Sequence, residues 1–135
     1  ATMDALARRS HIKTTPNPDE RLDYVITLTG TLGFRAAESS CQFSIRYIPD
    51  KLIISQASFA AYLDAVGEVE WANLEEAATA MLEDMGNEVV ARWMQIKAVL
   101  SEDGGGTAAL SHQIVLEDKQ PQWDNASLLA RLAVI

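Results

Sequence analysis

The 135-residue sequence has one cysteine, two histidines and no long apolar run. A single cysteine excludes an internal disulfide and any zinc site built from several thiolates, and two histidines exclude a histidine-rich metal cage. A chain without disulfides is typical of a reducing compartment, so we expect a cytoplasmic protein. No segment approaches the roughly 18–20 apolar residues that a membrane helix needs, so no membrane association is expected.

Basic residues are missing from one long segment. Residues 52–91 contain neither lysine nor arginine, whereas acidic and basic residues balance in the rest of the chain. The segment therefore carries the whole net charge of −8. Its carboxylates are Asp64, Glu68, Glu70, Glu75, Glu76, Glu83, Asp84 and Glu88. This charge disfavours nucleic acid as a partner, and the simplest interpretation of the segment is a solvated acidic helix face.

The first half of the sequence shows a strand-like alternation. From Tyr24 apolar residues recur at every second position, which predicts a long strand that is buried on one face. A second strand is predicted around residues 43–47 and ends at Pro49. Residues 1–22 are polar and contain two prolines, so we expect them to form an irregular N-terminal arm.

The middle of the sequence changes to a helical period. A first helix is predicted from Phe59 to Gly67, where glycine favours a stop. A second, strongly amphipathic helix is predicted with Asn73 as its N-cap and with its end at Gly86. Asp84 is predicted to lie off the apolar stripe of this helix, together with two glutamates.

Strand periodicity returns at Val89 and predicts two further strands, joined by a glycine-rich loop at residues 101–106. His112 falls on the apolar face of the last strand, which is typical of a core or interface histidine. The tail around Leu128 fits either a helical turn or a docked extended segment.

The element order ββααββ predicts an α+β domain, in which a four-stranded antiparallel sheet carries two helices on one face. We expect this domain at residues 23–117, between an N-terminal arm at 1–22 and a C-terminal tail at 118–135. The outer strands of such a sheet would be unpaired, so we expect homo-oligomers that form through strand edges.

Four short strings, in this order and spacing, resemble one known family. They are Pro16-Asn-Pro18 before the first strand, Tyr47-Ile-Pro49-Asp50 after the second, Ser58-Phe59 at the first helix, and Arg92-Trp93-Met94 at the third strand. The strings resemble the tunnelling-fold superfamily and, within it, the single-domain 7-cyano-7-deazaguanine reductases of queuosine biosynthesis. The resemblance spans about residues 11–110.

The resemblance implies a ring of subunits that forms through strand edges, with substrate sites between subunits. It also implies an NADPH-dependent reduction of a nitrile to an amine through a cysteine adduct. That chemistry needs a thiolate nucleophile, a general acid, a carboxylate that grips the purine-like ring, and cations for the cofactor phosphates.

The catalytic residues of that family lack direct counterparts here. Its nucleophilic cysteine falls near Leu32, whereas Cys41 is too close to Tyr47 and lies within the predicted strand. Cys41 is therefore expected to be a small buried side chain. The family's acidic residue falls near Ser39, and the adjacent Glu38 would replace it only if the loop re-aimed its side chain. Cys41 and Glu38 are the remaining catalytic candidates.

The carboxylate that grips the ring does have a counterpart. Matching the apolar stripe of the second helix places it on Glu75, where it would accept two N–H bonds from a guanine- or pterin-like edge. The alternative is an exposed first-turn glutamate that interacts with the helix dipole. Ser58 is expected beside this site, and the family's second glutamate falls on Ser55. The lysines that hold the cofactor fall on Ala57 and Ala60, so no cofactor is expected.

The sequence therefore predicts a non-reductase homologue of 7-cyano-7-deazaguanine reductase, an oligomer that binds a purine- or pterin-like ring between subunits. One alternative is an active enzyme of this class with rearranged catalytic residues, which would retain NADPH. The other alternative is a structural ring that presents its acidic helices to a basic protein partner.

Overall fold

Two antiparallel sheets and four helices make up the part of the chain that this computed structural model describes, residues 5–34, 39–103 and 109–132. The elements are α1 (Ala5–Arg9), β1 (Thr14–Pro16), β2 (Ile26–Phe34), β3 (Ser39–Ile48), β4 (Leu52–Ile54), α2 (Gln56–Gly67), α3 (Leu74–Val89), β5 (Trp93–Asp103), β6 (Ala109–Lys119) and α4 (Ala126–Arg131). None of these helices is long and apolar enough to cross a membrane.

The larger sheet has the strand order β2-β3-β5-β6, and each neighbouring pair is antiparallel. Its register aligns Leu32 of β2 with Cys41 of β3, and Cys41 with Leu100 of β5. The two outer strands, β2 and β6, are 9 and 11 residues long. The predicted four-stranded antiparallel sheet is confirmed.

The two faces of this sheet differ in polarity because successive residues of a strand point to opposite sides. One face is apolar and packs against α2 and α3 to form the core. The core residues of the sheet include Leu32, Cys41, Phe43, Ile45, Tyr47, Met94, Ile96, Ala98 and Leu100. The other face is polar and partly or fully exposed. Its residues include Thr27, Thr29, Thr31, Gln42, Ser44, Gln95, Lys97 and Gln113.

The N-terminal segment differs from its prediction, because residues 5–16 contain a helix and a strand rather than an irregular arm. β1 pairs with β4, a short strand that the sequence pattern also did not predict, and aligns Thr14 with Ile54. Ile12 is buried in the core cluster and anchors the segment between α1 and β1. Three-residue strands are too short to show a period, which explains why both were missed. At the other end of the chain, the helical alternative for the tail is observed as α4.

A buried ionic cluster joins α1 to α2 and α3, and it corrects the placement of Asp84. The Asp84 side chain is 1% exposed. Its carboxylate accepts hydrogen bonds from Arg8 Nε at 2.8 Å, from Arg9 Nε at 3.0 Å and from the Tyr62 hydroxyl at 2.7 Å. The Arg8 guanidinium also lies 5.3 Å from the centroid of the Trp71 ring. The prediction that Asp84 lies off the apolar stripe was wrong. Asp84 lies on the buried face, and the residues that make its burial possible come from α1 and α2, so the pattern of α3 did not reveal them.

Burial and the hydrogen bond to Asp84 raise the pKa of the Tyr62 hydroxyl far above its ordinary value. The hydroxyl therefore keeps its proton and remains a donor to the carboxylate. The hydrogen bond to Asp84 likewise raises the pKa of Arg8, against the opposing effect of burial. The cluster thus consists of one carboxylate, two cations and one neutral hydroxyl.

We expect Asp84→Ala to lower the free energy of unfolding by about 3–5 kcal/mol, since it leaves Arg8 buried without its partner carboxylate. Urea denaturation followed by circular dichroism measures this change. Glu83→Ala is the matched control, because the Glu83 side chain is 70% exposed and lies 3.8 Å from Arg9. The control should change the stability by no more than about 0.5 kcal/mol. Equal effects of the two substitutions would contradict the role given to the cluster.

α3 continues past the glycine at which it was predicted to end. Gly86 lies within the helix, which extends to Val89. Val89 was predicted to begin a strand, but it is the last residue of α3. The helix ends because Val90 adopts a left-handed backbone conformation with φ of 52°. A β-branched residue is strained in this region of φ/ψ space. Val90 is 56% exposed, so packing offsets little of this strain.

Val90→Gly is expected to raise the free energy of unfolding by about 1 kcal/mol, because glycine adopts positive φ without the steric cost. Chemical denaturation of the two proteins at the same temperature measures the difference. Ala61→Gly provides the control, since Ala61 is exposed in the middle of α2 and glycine there should destabilise by about 1 kcal/mol. A destabilised Val90→Gly protein would show that the valine is not strained.

Candidate functional site

Glu75 and His112 come together where the first turn of α3 faces the outer strand β6. The Asn73 side chain caps α3 by accepting a hydrogen bond from the Glu76 amide at 2.8 Å. Glu75 Oε1 lies 3.3 Å from His112 Nε2, and the two side chains are 54% and 47% exposed. The pair therefore presents a carboxylate and an imidazole to solvent at one edge of the sheet.

His112 lies on the helix side of the sheet, as its sequence position predicts, but it is not a core residue. It aligns with Leu100, which is buried in the core. β6 is the outer strand, however, and the helices cover its end incompletely, so His112 is exposed and Leu110 is 62% exposed. The prediction of a core histidine was wrong for this reason, and its interface alternative stays a prediction.

Ser55 and Ser58 hold the N-terminal segment against the start of α2. The Ser55 side chain caps α2, and the backbone amide of Ser55 donates a hydrogen bond to the Lys13 carbonyl at 2.8 Å. Ser58 is buried, and its hydroxyl accepts a hydrogen bond from the Lys13 amide at 3.0 Å. None of these contacts involves Glu75. They give both serines a structural role, and the substrate-binding role expected for them stays a prediction.

Cys41 lies inside β3, between Leu32 and Leu100 of the neighbouring strands, and is 2% exposed. Burial raises the pKa of the Cys41 thiol. A thiol in such surroundings stays protonated at neutral pH, and the thiolate is the nucleophilic form. Cys41 is therefore the small buried side chain that the sequence predicts. The other catalytic candidate, Glu38, lies outside the described residues.

A groove of about 410 Å³ lies at the opposite edge of the sheet, between β2 and α2. Its polar lining includes Thr27, Thr29, Thr31, Gln56 and Asp64. The helix comes very close to the strand at Gly30, because a Cβ atom there would lie 2.5 Å from Leu63 Cδ1. A larger residue at position 30 would require the end of the Leu63 side chain to move. The groove is therefore a cleft between an exposed strand edge and a tightly packed helix.

The positions of α2 at which the resemblance would place cofactor lysines carry small neutral side chains. Within residues 5–34, 39–103 and 109–132, no group of three or more His, Cys, Asp or Glu side chains could hold a metal ion. Ala57 and Ala60, the positions at which the resemblance would place lysines, are exposed on α2. The nearby Asp64 is also exposed. A phosphate at this surface would meet carboxylates rather than cations.

We expect alkylation of Cys41 by iodoacetamide to be at least about 100-fold slower in the native protein than in urea, because burial removes both access and the thiolate form. Mass spectrometry at timed intervals measures the rate of alkylation. Cys41 is the only cysteine of the sequence, so any alkylated cysteine is Cys41. Cys41→Ser supplies the unlabelled control. Rapid labelling of the folded protein would contradict this account and restore Cys41 as a nucleophile.

Comparison with known proteins supports the fold. No protein-family model matches the chain, and no curated protein matches it. Among solved structures, the apo form of an archaeosine synthase QueF-Like matches with a TM-score of 0.52 and 18% sequence identity. The match covers 72% of this chain and 93% of that chain. At this identity the likeness concerns the fold alone, and the chain described here has a tunnelling fold that resembles that of the archaeosine synthase.

Proposed function

We propose that this protein is a tunnelling-fold oligomer that binds a purine- or pterin-like ring through Glu75 and does not reduce a nitrile. The observation that carries the proposal is the half-exposed Glu75–His112 pair, whose atoms Oε1 and Nε2 are 3.3 Å apart. The structural neighbour is named an archaeosine synthase, but an identity of 18% does not transfer that activity to this chain.

The chemistry of a glutamate suits an aminopyrimidinone edge. An ionised carboxylate only accepts hydrogen bonds, and its two oxygens offer about four lone-pair positions. A guanine- or pterin-like edge carries an amino group beside a ring N–H, so one carboxylate binds both donors at once. Glu75 is 54% exposed, which leaves its carboxylate accessible to such an edge.

Two observations argue against the reductase chemistry. Cys41 is buried with a raised pKa, so it does not supply a thiolate. The exposed alanines at positions 57 and 60 offer no cation to the phosphates of NADPH, and the carboxylates of α2 and α3 would repel those phosphates. We therefore propose no cofactor. The alternative of an active enzyme would need Glu38 or another residue to provide the chemistry.

The edges of the sheet support the oligomeric part of the proposal. β2 consists of nine residues without proline or charge, so it lacks the usual features that prevent edge pairing. Pairing of β2 in one copy with β6 in the next would continue the sheet and close a ring. This arrangement would also bring the groove beside β2 towards the Glu75–His112 pair of the neighbouring subunit. The ligand would then lie between subunits.

The acidic surface supports a second candidate function, a ring that binds a basic protein partner. Of the carboxylates in residues 52–91, Asp84 alone is buried, and the others lie on the exposed or half-exposed surface of α2, α3 and their connection. Binding to such a surface would weaken steeply with added salt, whereas binding of a neutral ring at Glu75 would depend only weakly on salt.

We expect the wild-type chain to bind guanosine or pterin in isothermal titration calorimetry and Glu75→Ala to weaken binding at least about tenfold, since it removes two charge-assisted hydrogen bonds. Glu70→Ala is the matched control, because it removes the same charge from an exposed position between α2 and α3. The control should bind like the wild type.

Light scattering of the same samples measures the mass of the particle and so tests the assembly. A mass of 14.8 kDa, which is that of one chain, would contradict the proposed oligomer. Absence of binding to any purine or pterin would refute the ring site and favour the structural ring. Equal losses in the Glu75 and Glu70 variants would attribute the binding to net charge instead of to a specific carboxylate.

A further inference from the structure

We infer that His112 is a positioning residue that holds the Glu75 carboxylate in place for the ring ligand. The inference rests on the proposed ring-binding function and adds a residue to that site. His112 reaches Glu75 from a different element, since one side chain comes from β6 and the other from α3. Their contact is 3.3 Å, between Nε2 and Oε1.

Both elements hold their side chain at a defined position. Glu75 lies in the first turn of α3, which Asn73 caps, and its carbonyl accepts a hydrogen bond from the Thr79 hydroxyl at 2.6 Å. β6 is paired with β5 along its full length, so the register places His112 beside Leu100. The relative position of the two residues is therefore set by backbone structure, and the side chains add the last contact.

The second carboxylate in the same turn has a different role. Glu76 Oε1 accepts a hydrogen bond from the Ala72 amide at 3.4 Å, so that side chain turns back towards the start of the helix. Glu75 is the first-turn carboxylate that faces β6. This division of roles explains why a ligand would meet Glu75 and not its neighbour.

The chemistry of the contact defines the form of the imidazole. A carboxylate only accepts hydrogen bonds, so the nitrogen that faces it must carry a proton. With its proton on Nε2, the imidazole would donate to Glu75 Oε1 across the 3.3 Å contact and use one lone-pair position of that oxygen. Oε2 and the remaining position on Oε1 stay available to two N–H donors of a ring. Without this contact, the Glu75 side chain would lose its rotamer freedom when the ligand binds, and this loss of conformational entropy would lower the affinity. A side chain that is already held by His112 would avoid part of that cost.

The surface next to His112 suits the face of a ring. Leu110 lies two residues earlier in β6, so it points to the same side of the sheet, and it is 62% exposed. A flat aromatic ligand held by its edge at Glu75 would cover this apolar side chain. Glu75 and Leu110 together would offer the ligand an anion and an apolar surface, and His112 would hold the anion in place.

Titration of guanosine or pterin into variants of the full chain tests the role of His112. We expect His112→Ala to weaken binding about three- to fivefold, as for the loss of one hydrogen bond between exposed groups. His112→Gln should restore binding to within about twofold of the wild type, because its amide carries an N–H donor near the position of Nε2. His11→Ala is the matched control, since His11 is the other histidine and is exposed near α1. It should leave binding unchanged.

A double-mutant cycle shows whether His112 acts through Glu75. His112→Ala should add no further loss in a Glu75→Ala background, because the positioned group is already absent. The same three- to fivefold loss in both backgrounds would overturn the inference and make His112 a direct contact. Failure of His112→Gln to restore binding would also overturn it.

Nitrogen-15 spectroscopy of the ligand-free protein separates this inference from the proposed function. Glu75→Ala should shift the His112 ring resonances, since the oxygen that faces Nε2 is removed, and should leave those of His11 in place. Unchanged His112 resonances would refute the pairing whatever the titrations show. A shift without any ring binding in the wild type would confirm the pairing but would refute both the ring site and the positioning role.

Discussion

The buried carboxylate of Asp84 is the constraint on which the helical layer depends. A charge without solvent is stable in a protein only when opposite charges and hydrogen-bond donors surround it. Arg8, Arg9 and Tyr62 meet this requirement, and both arginines come from α1. The N-terminal helix must therefore fold onto α2 and α3. One carboxylate thus joins three helices into the layer that covers the sheet.

The candidate site follows from the position of α3 on that sheet. The same helix carries Asp84 on its buried face and Glu75 in its first turn, so the packing that buries one residue determines where the other emerges. Glu75 emerges beside the outer strand β6, where the helices no longer cover the sheet fully and His112 remains accessible. The site therefore lies at an edge where the described part of the chain adds no strand beyond β6.

Neighbouring carboxylates of the acidic segment have different environments in the structure. In sequence, Glu83 and Asp84 are equivalent neighbours in a segment without lysine or arginine. In the fold, the Glu83 side chain is 70% exposed, whereas Asp84 is 1% exposed. Two cations from outside the segment, Arg8 and Arg9, hydrogen-bond the buried Asp84, whereas the exposed Glu83 has only a contact of 3.8 Å with Arg9. The surface of α2 and α3 thus remains acidic, and Cys41 lies under the same layer, away from solvent.

The sequence by itself determined the four strands of the main sheet, the two central helices, the Asn73 cap and the burial of Cys41, because each depends on local periodicity or local hydrogen bonds. Only the tertiary structure decided the docking of α1, the burial of Asp84 and the pairing of Glu75 with His112. These features depend on contacts between residues that are distant in the chain. Hydrophobic periodicity predicts which face of an element is buried, but it does not predict which charged side chain of another element will contact that face.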